Sequence, residues 1–223
     1  MSDLIDTTEM YLKAIWELGE DHIPPLRARL TERLDHTVPT VSQTVARMER
    51  DGLLALREGR LIELSPLGRG YAMRVMRKHR LSELLLLEVI GLEFEFIHDE
   101  ACRWEHVISR KAEERIARLV ADPTRDPFGN PIPGLGELGI ERDPQMHPQF
   151  GRGVLEAGLR EATLVRIGEP VHSRRDVLRE FREVGVLPGA RLTVDVAGDA
   201  LTLRVGDVVL AIGDDVAKHV FVR

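Results

Sequence analysis

Apolar residues recur at helical spacing from the start of the chain. Ile5, Met10, Leu12, Ile15, Trp16 and Leu18 predict a helix over 4–19, with Gly19 as its stop. Pro24-Pro25 breaks it. A short helix over 26–34 follows, rich in Arg on one side. Val38, Val41, Val45 and Met48 form the apolar stripe of the next helix. Thr37 fits its cap, Pro39 its first turn and Gly52 its stop, while Thr40, Ser42, Gln43, Thr44 and Arg47 face away from the stripe. Residues 53–64 read as a hairpin turning at Glu58-Gly59. Ser65-Pro66 opens a long helix to about Ile90, ended by Gly91, and another helix is predicted from about Phe96 to Val120. From Ala162 the period changes to two. Strands are predicted over 162–167, 191–196, 200–205, 207–212 and 219–223, with one helix over 173–184. The fold class is mainly α with a C-terminal all-β module, a small barrel.

A short Arg-bearing helix, a tight turn and a helix opening with small polar residues fit two readings. One is a generic helical hairpin. The other is a helix-turn-helix, whose second helix sets its first residues on base edges while arginines take phosphates. The hairpin that follows suits a wing with Arg57 and Arg60 near its tip, which favours DNA. The net charge of −6 over 223 residues argues the other way until it is mapped. Residues 26–80 hold twelve Arg and Lys against six Asp and Glu, a local +6. Aromatic residues make up only 4%, which argues against recognition of single strands by stacking. No apolar run approaches the ~20 residues of a membrane helix. The acidic start lacks the basic region of a secretory signal. A cytoplasmic protein with no membrane partner is expected.

Candidate chemistry lies at 98–106, where His98, Cys102, Glu105 and His106 fall on one face of the predicted helix. Imidazole, thiolate and carboxylate together form a transition-metal ligand set. The same spacing also fits a solvated charged face with one buried thiol. Cys102 is the only cysteine, so it forms no intrachain disulfide. His79 and Glu83 stand one turn apart on the preceding helix, as a surface ion pair or as further ligands. Met10 by itself reads as core filler. Leu84, Leu85, Leu87, Val89 and Ile90, with Trp104, Val107, Ile108, Ile116 and Leu119, make apolar faces suited to a dimer interface. The Pro/Gly-rich stretch 122–139 is either a polyproline-type segment of the kind small barrels bind or a plain linker.

Five stretches carry a family resemblance: Asp6-Thr-Thr-Glu-Met-Tyr-Leu12, the run from Pro39 to Leu53, Met76-Arg-Lys-His-Arg-Leu81, the run from His98 to His106, and the run from Pro127 to Leu135. In these the chain closely resembles the diphtheria toxin repressor and iron-dependent regulator family of metal-activated repressors. The resemblance implies a winged helix-turn-helix over 1–73, a helical dimerisation and metal domain with a proline-rich tail over 74–140, a linker over 141–160 and an SH3-like small barrel over 161–223. It implies two Fe2+ sites per subunit. The primary site maps onto Met10, Cys102, Glu105 and His106, and the ancillary site onto His79, Glu83, His98, Glu169 and position 172. That last position is usually Gln in the family and is His172 here.

The implied function is an iron(II)-activated homodimeric repressor of palindromic double-stranded operators in iron-uptake and iron-homeostasis genes. Thr37, Pro39, Thr40, Ser42 and Gln43 would face the groove, and Arg27, Arg29, Arg47, Arg50 and Arg60 the phosphates. The manganese-selective branch carries carboxylates where this chain has Met10 and Cys102. Thioether and thiolate favour softer ions than Mn2+, with Co2+, Ni2+, Mn2+ or Zn2+ as possible substitutes in vitro. The alternatives are a manganese-responsive regulator, a constitutive DNA binder with structural metals, and a metal-dependent hydrolase. No HExxH, nucleophile elbow or phosphate loop supports the hydrolase, and an enzyme is not expected.

Overall fold

In the computed structural model the chain divides into two compact units, Met1–Lys78 and His79–Arg223. The described residues are 2–141, 151–158, 160–197 and 200–223. The first unit holds α1 (Ser2–Glu20), α2 (Arg27–Leu34), α3 (Val38–Arg50), β1 (Leu54–Leu56), β2 (Ile62–Leu64) and the start of α4 (Pro66–Leu84). The helical stripes of the sequence become one core. Leu12, Ile15 and Leu18 from α1 meet Leu30 from α2, Val41, Val45 and Met48 from α3, and Leu54, Ile62 and Leu64 from the hairpin. Thr37 caps α3 by accepting a hydrogen bond from the Thr40 N–H at 3.4 Å. Asp35 closes α2 in the left-handed region, φ 51°, and so sharpens the turn into α3. β1 and β2 pair antiparallel with Leu54 opposite Leu64. Gly59 and Arg60 turn the hairpin with φ of 70° and 63°. This unit is a winged helix-turn-helix.

The second unit continues α4 through a π-helical turn, Leu85–Ile90, closed by Gly91 at φ 78°. The helix predicted over 96–120 is in fact two, α5 (Ile97–Trp104) and α6 (Arg110–Leu119). The break falls where Ser109 takes an extended conformation and its side chain accepts from the Ala112 N–H at 3.3 Å, starting a new helix. Leu81, Leu84, Ile116, Ala117 and Val120 pack with Ile132, Leu135 and Leu138. The Pro/Gly-rich stretch is a folded turn. Asp126 Oδ1 accepts from the N–H groups of Phe128 and Asn130, both at 2.8 Å. Phe128 and Ile132 are fully buried. Gly129 sits at φ 87°, where an added Cβ would lie 2.2 Å from the Val165 carbonyl oxygen.

The remaining elements are β3 (Arg152–Gly153), α7 (Val154–Ala157), β4 (Glu161–Ile167), α8 (Glu169–His172), α9 (Arg175–Val184), β5 (Arg191–Ala197), β6 (Ala200–Val205), β7 (Val208–Ile212), α10 (Asp214–Ala217) and β8 (Val220–Val222). Of the stretch read as a linker, 142–150 and 159 lie outside the described residues, and 152–157 belong to this unit's structure. Each predicted strand is present, but the SH3-like barrel is not. The sheet is open, in the order β3-β8-β4-β5-β6-β7, and among the described residues β3 and β7 do not pair with each other. β3 is two residues long, paired with β8 alone, and offers too few backbone groups to close a barrel. The inward faces of β4, β5 and β6 pack Leu164, Leu192, Val194, Leu201 and Leu203 against Leu178 and Phe181 of α9. That helix covers the sheet, so closure is not needed to bury its apolar face.

Two glycines of α4 test the packing of the first unit. A Cβ on Gly68 would lie 1.8 Å from the Leu53 carbonyl oxygen, while one on Gly70 meets nothing within 4 Å. Gly68→Ala is expected to destabilise this unit by about 1–3 kcal/mol or more. Gly70→Ala should stabilise it by about 0.4–1 kcal/mol. Urea unfolding of both variants measures the difference.

Candidate metal centre

Three elements of the second unit bring histidines and carboxylates to one buried point. α4 supplies His79 and Glu83 one turn apart, α5 supplies His98, and α8 supplies Glu169 and His172. His79 and Glu83 are fully buried, so they are no surface ion pair. His79 Nε2 lies 2.9 Å from Glu83 Oε1 and 3.5 Å from Glu169 Oε2. His98 Nδ1 lies 3.2 Å from Glu83 Oε1 and 3.6 Å from Glu169 Oε2. His172 Nδ1 lies 3.4 Å from Glu169 Oε2 and 3.7 Å from Glu83 Oε1. One ligand atom from each of His79, Glu83, His98 and Glu169 falls within 4.8 Å of the others.

Burial of this kind makes carboxylates demand positive charge. Burial pushes Glu83 up, but His79, His172 and His98 outweigh it and hold its carboxyl well below the usual range. For His172 burial pulls down and the Glu169 and Glu83 carboxylates prevail, raising it to about 10. His98 is also raised: burial opposes, and Cys102 and Glu83 prevail. A proton on His172 therefore offsets carboxylate charge in the metal-free cluster.

The donor geometry fits a divalent cation. His172 Nε2 faces the Ile167 carbonyl oxygen at 2.9 Å, which leaves Nδ1 to the cluster. His172 Nδ1 and Glu83 Oε2 are buried without a hydrogen-bond partner. An imidazole held by a carbonyl at one nitrogen and free at the other is the usual arrangement of a metal-binding histidine. Phe128 stacks on the His172 ring, with centroids 3.6 Å apart, and fixes its plane.

The residues mapped to the primary site are spread over both units. Cys102 is on α5, half-buried, with its Sγ 3.6 Å from His98 Nε2. Glu105 follows α5 and is buried, its Oε2 2.6 Å from His79 Nδ1. His106 Nε2 lies 3.4 Å from Glu105 Oε1. His79, His98 and Cys102 form a second group with metal-ligand spacing. Met10 belongs to the first unit, where it is exposed on α1.

Within the first unit, Thr37, Pro39, Thr40 and Gln43 are exposed at the start of α3, and Ser42 is half-buried. Arg29, Arg50 and Arg60 are exposed, and Arg29 pairs with Glu32 at 2.9 Å. Arg27 and Arg47 are half-buried, and Arg47 Nη2 donates to Thr8 Oγ1 at 3.3 Å.

Spacing in the sequence does not mark the groups that brace the buried cluster. Arg80 is fully buried and donates to the Pro131 carbonyl oxygen at 2.6 Å and to Glu169 Oε1 at 3.3 Å. Asp126 lies 3.5 Å from the same guanidinium. Burial first, and then the Glu83 charge, push its carboxyl up to about 7. Arg80 follows His79 directly, so a charged residue next to a candidate ligand was the available signal.

Known proteins share this combination. A family model described as the iron dependent repressor N-terminal DNA binding domain matches residues 3–60. One described as the iron dependent repressor metal binding and dimerisation domain matches 65–134, and a FeoA domain model matches 157–223. The first two models describe parts of a repressor, which makes the protein a regulator and not an enzyme. The iron-dependent repressor IdeR of Mycobacterium tuberculosis is 49% identical over 207 residues, 91% of this chain and 90% of the relative. The diphtheria toxin repressor of Corynebacterium diphtheriae is 44% identical over 223 residues, 99% of this chain and 98% of the relative. Among solved structures, a manganese-dependent transcriptional repressor complexed with manganese is 27% identical with a TM-score of 0.80, covering 96% of this chain and 98% of its own. The chain belongs to the iron-dependent repressor family, that of IdeR and the diphtheria toxin repressor.

Proposed function

We propose that the protein is an iron(II)-activated transcriptional repressor that acts as a homodimer on palindromic operators of iron-uptake and iron-homeostasis genes. The observation that carries this is the convergence of His79, Glu83, His98 and Glu169 within 4.8 Å, in a chain that also holds a winged helix-turn-helix. In this reading the DNA-binding part spans 1–73, the dimerisation and metal part 74–140 and the C-terminal module 161–223. His79, Glu83, His98, Glu169 and His172 hold the ancillary ion, and Met10, Cys102, Glu105 and His106 the primary one. A bound ion supplies the positive charge that lets carboxylates, and a thiolate, crowd together in a dry site. On a palindromic operator the two recognition helices of the dimer would meet successive major grooves about 34 Å apart. Val89, Ile90, Val107 and Leu119 are exposed apolar side chains and suit the dimer face.

Thioether and thiolate donors at Met10 and Cys102 support iron over manganese. The solved manganese-dependent repressor is the likeness that favours the second reading. Operator binding separates them. Under anaerobic conditions, Fe2+ is expected to switch on binding of an iron-uptake promoter fragment at lower concentration than Mn2+, and Met10→Ala to lose the switch. Equal binding by the metal-free protein would leave only structural metals, and stronger activation by Mn2+ would leave the manganese reading.

The α3 side chains divide into two roles. Gln43 is exposed at the helix start, and Gln43→Ala is expected to cost about 1–3 kcal/mol of discrimination at one base pair. Arg50 is exposed at the helix end, and Arg50→Ala should weaken all sequences alike and reduce the salt slope by about 1. Operator variants titrated at several salt concentrations distinguish the two.

A further inference from the structure

Two imidazoles belong to both ligand sets at once. His79 turns Nε2 toward Glu83 Oε1, at 2.9 Å, and Nδ1 toward Glu105 Oε2, at 2.6 Å. His98 turns Nδ1 toward Glu83 Oε1, at 3.2 Å, and Nε2 toward Cys102 Sγ, at 3.6 Å. Each ring has one nitrogen in the ancillary cluster and the other against a residue assigned to the primary site. The two rings also meet edge to face, 4.9 Å between centroids. His79 is fully buried and His98 nearly so.

A neutral imidazole has one lone pair and one N–H. If His79 Nε2 and His98 Nδ1 give their lone pairs to a cation beside Glu83 and Glu169, the hydrogens must sit on His79 Nδ1 and His98 Nε2. The first then donates to Glu105 Oε2, which turns Oε1 toward His106 Nε2, 3.4 Å away, on the primary side. The second is aimed at Cys102 Sγ, where it fixes the side-chain direction and favours the negative sulfur that a metal takes.

We propose that His79 and His98 are positioning residues of the primary set: through their outer nitrogens, an ion in the ancillary cluster presets Glu105 and Cys102. The inference rests on the site assignment of the proposed function. Occupancy of the ancillary cluster then raises primary-site affinity, and linkage requires the reverse to hold equally.

Amide variants separate the outer nitrogen from the inner one. The amide nitrogen of Gln occupies roughly the place of a histidine Nε2, and that of Asn the place of Nδ1. His98→Gln and His98→Ala both lose the inner ligand, but only Gln keeps an N–H toward Cys102. His79→Asn and His79→Ala make the matching pair toward Glu105. The probe is Co2+, followed by the thiolate-to-metal absorption band of Cys102 in the full-length protein. His98→Gln should bind Co2+ at the thiolate about 10–100 times more tightly than His98→Ala. His79→Asn should exceed His79→Ala in the same direction. Equal affinities within both pairs, with the band present in the unmodified protein, would overturn the link and leave the site assignment standing. A missing band in the unmodified protein would overturn the assignment of Cys102 and the link with it.

Discussion

The metal cluster of the second unit depends on burying Glu83 and Glu169 among three imidazoles. Two carboxylates taken out of water cannot remain close together without compensating positive charge. His79, His98 and His172 provide it, and Arg80 takes the remaining oxygen of Glu169. The Pro/Gly-rich turn brings Phe128 onto His172 and the Pro131 carbonyl onto Arg80, so the same turn that looks like a linker in sequence walls off the site. The cluster is thus dry, rigid and rich in anionic oxygen, a place where a divalent ion can replace protons.

The fold was most legible where one periodicity ruled. Val41, Val45 and Met48 of the α3 stripe, its Thr37 cap and the Leu54–Leu64 hairpin follow directly from spacing and turn residues, whereas Val38 at the helix start is exposed and Thr44, expected to face away, is buried. The strands from Glu161 onward show the alternation expected of a half-buried sheet. Closure was not legible. Whether a sheet closes depends on whether its edge strands reach each other, and nothing in the alternation of Val, Leu and Ile reveals that β3 has only two residues. The break between α5 and α6 was hidden as well, because Val107 and Ile108 carry a helical stripe up to the Ser109 cap and Ile116 and Leu119 resume it beyond.

The metal cluster was legible in part. Spacing marked His98 to His106 as a candidate, and the family resemblance extended the set to His79, Glu83, Glu169 and His172. No spacing argument connects residues 79 and 169, because the contact depends on α8 packing against α4 and α5. Local patterns also could not reveal that His79 and His98 face two ways. That follows from two helices crossing closely enough to set Glu105 and Cys102 behind the rings.

The most direct test of the buried charge balance is calorimetric titration of metal-free protein with Fe2+, without oxygen, in buffers of different ionisation enthalpy. His172 is raised to about 10, so it carries an extra proton near neutral pH that a metal must displace, and His98 is shifted in the same direction. Net proton release on binding is expected, with affinity rising through neutral pH by about tenfold per pH unit for each proton released. Binding with no proton release and no pH dependence would contradict it, because the buried carboxylates would then need neither protons nor metal to balance them.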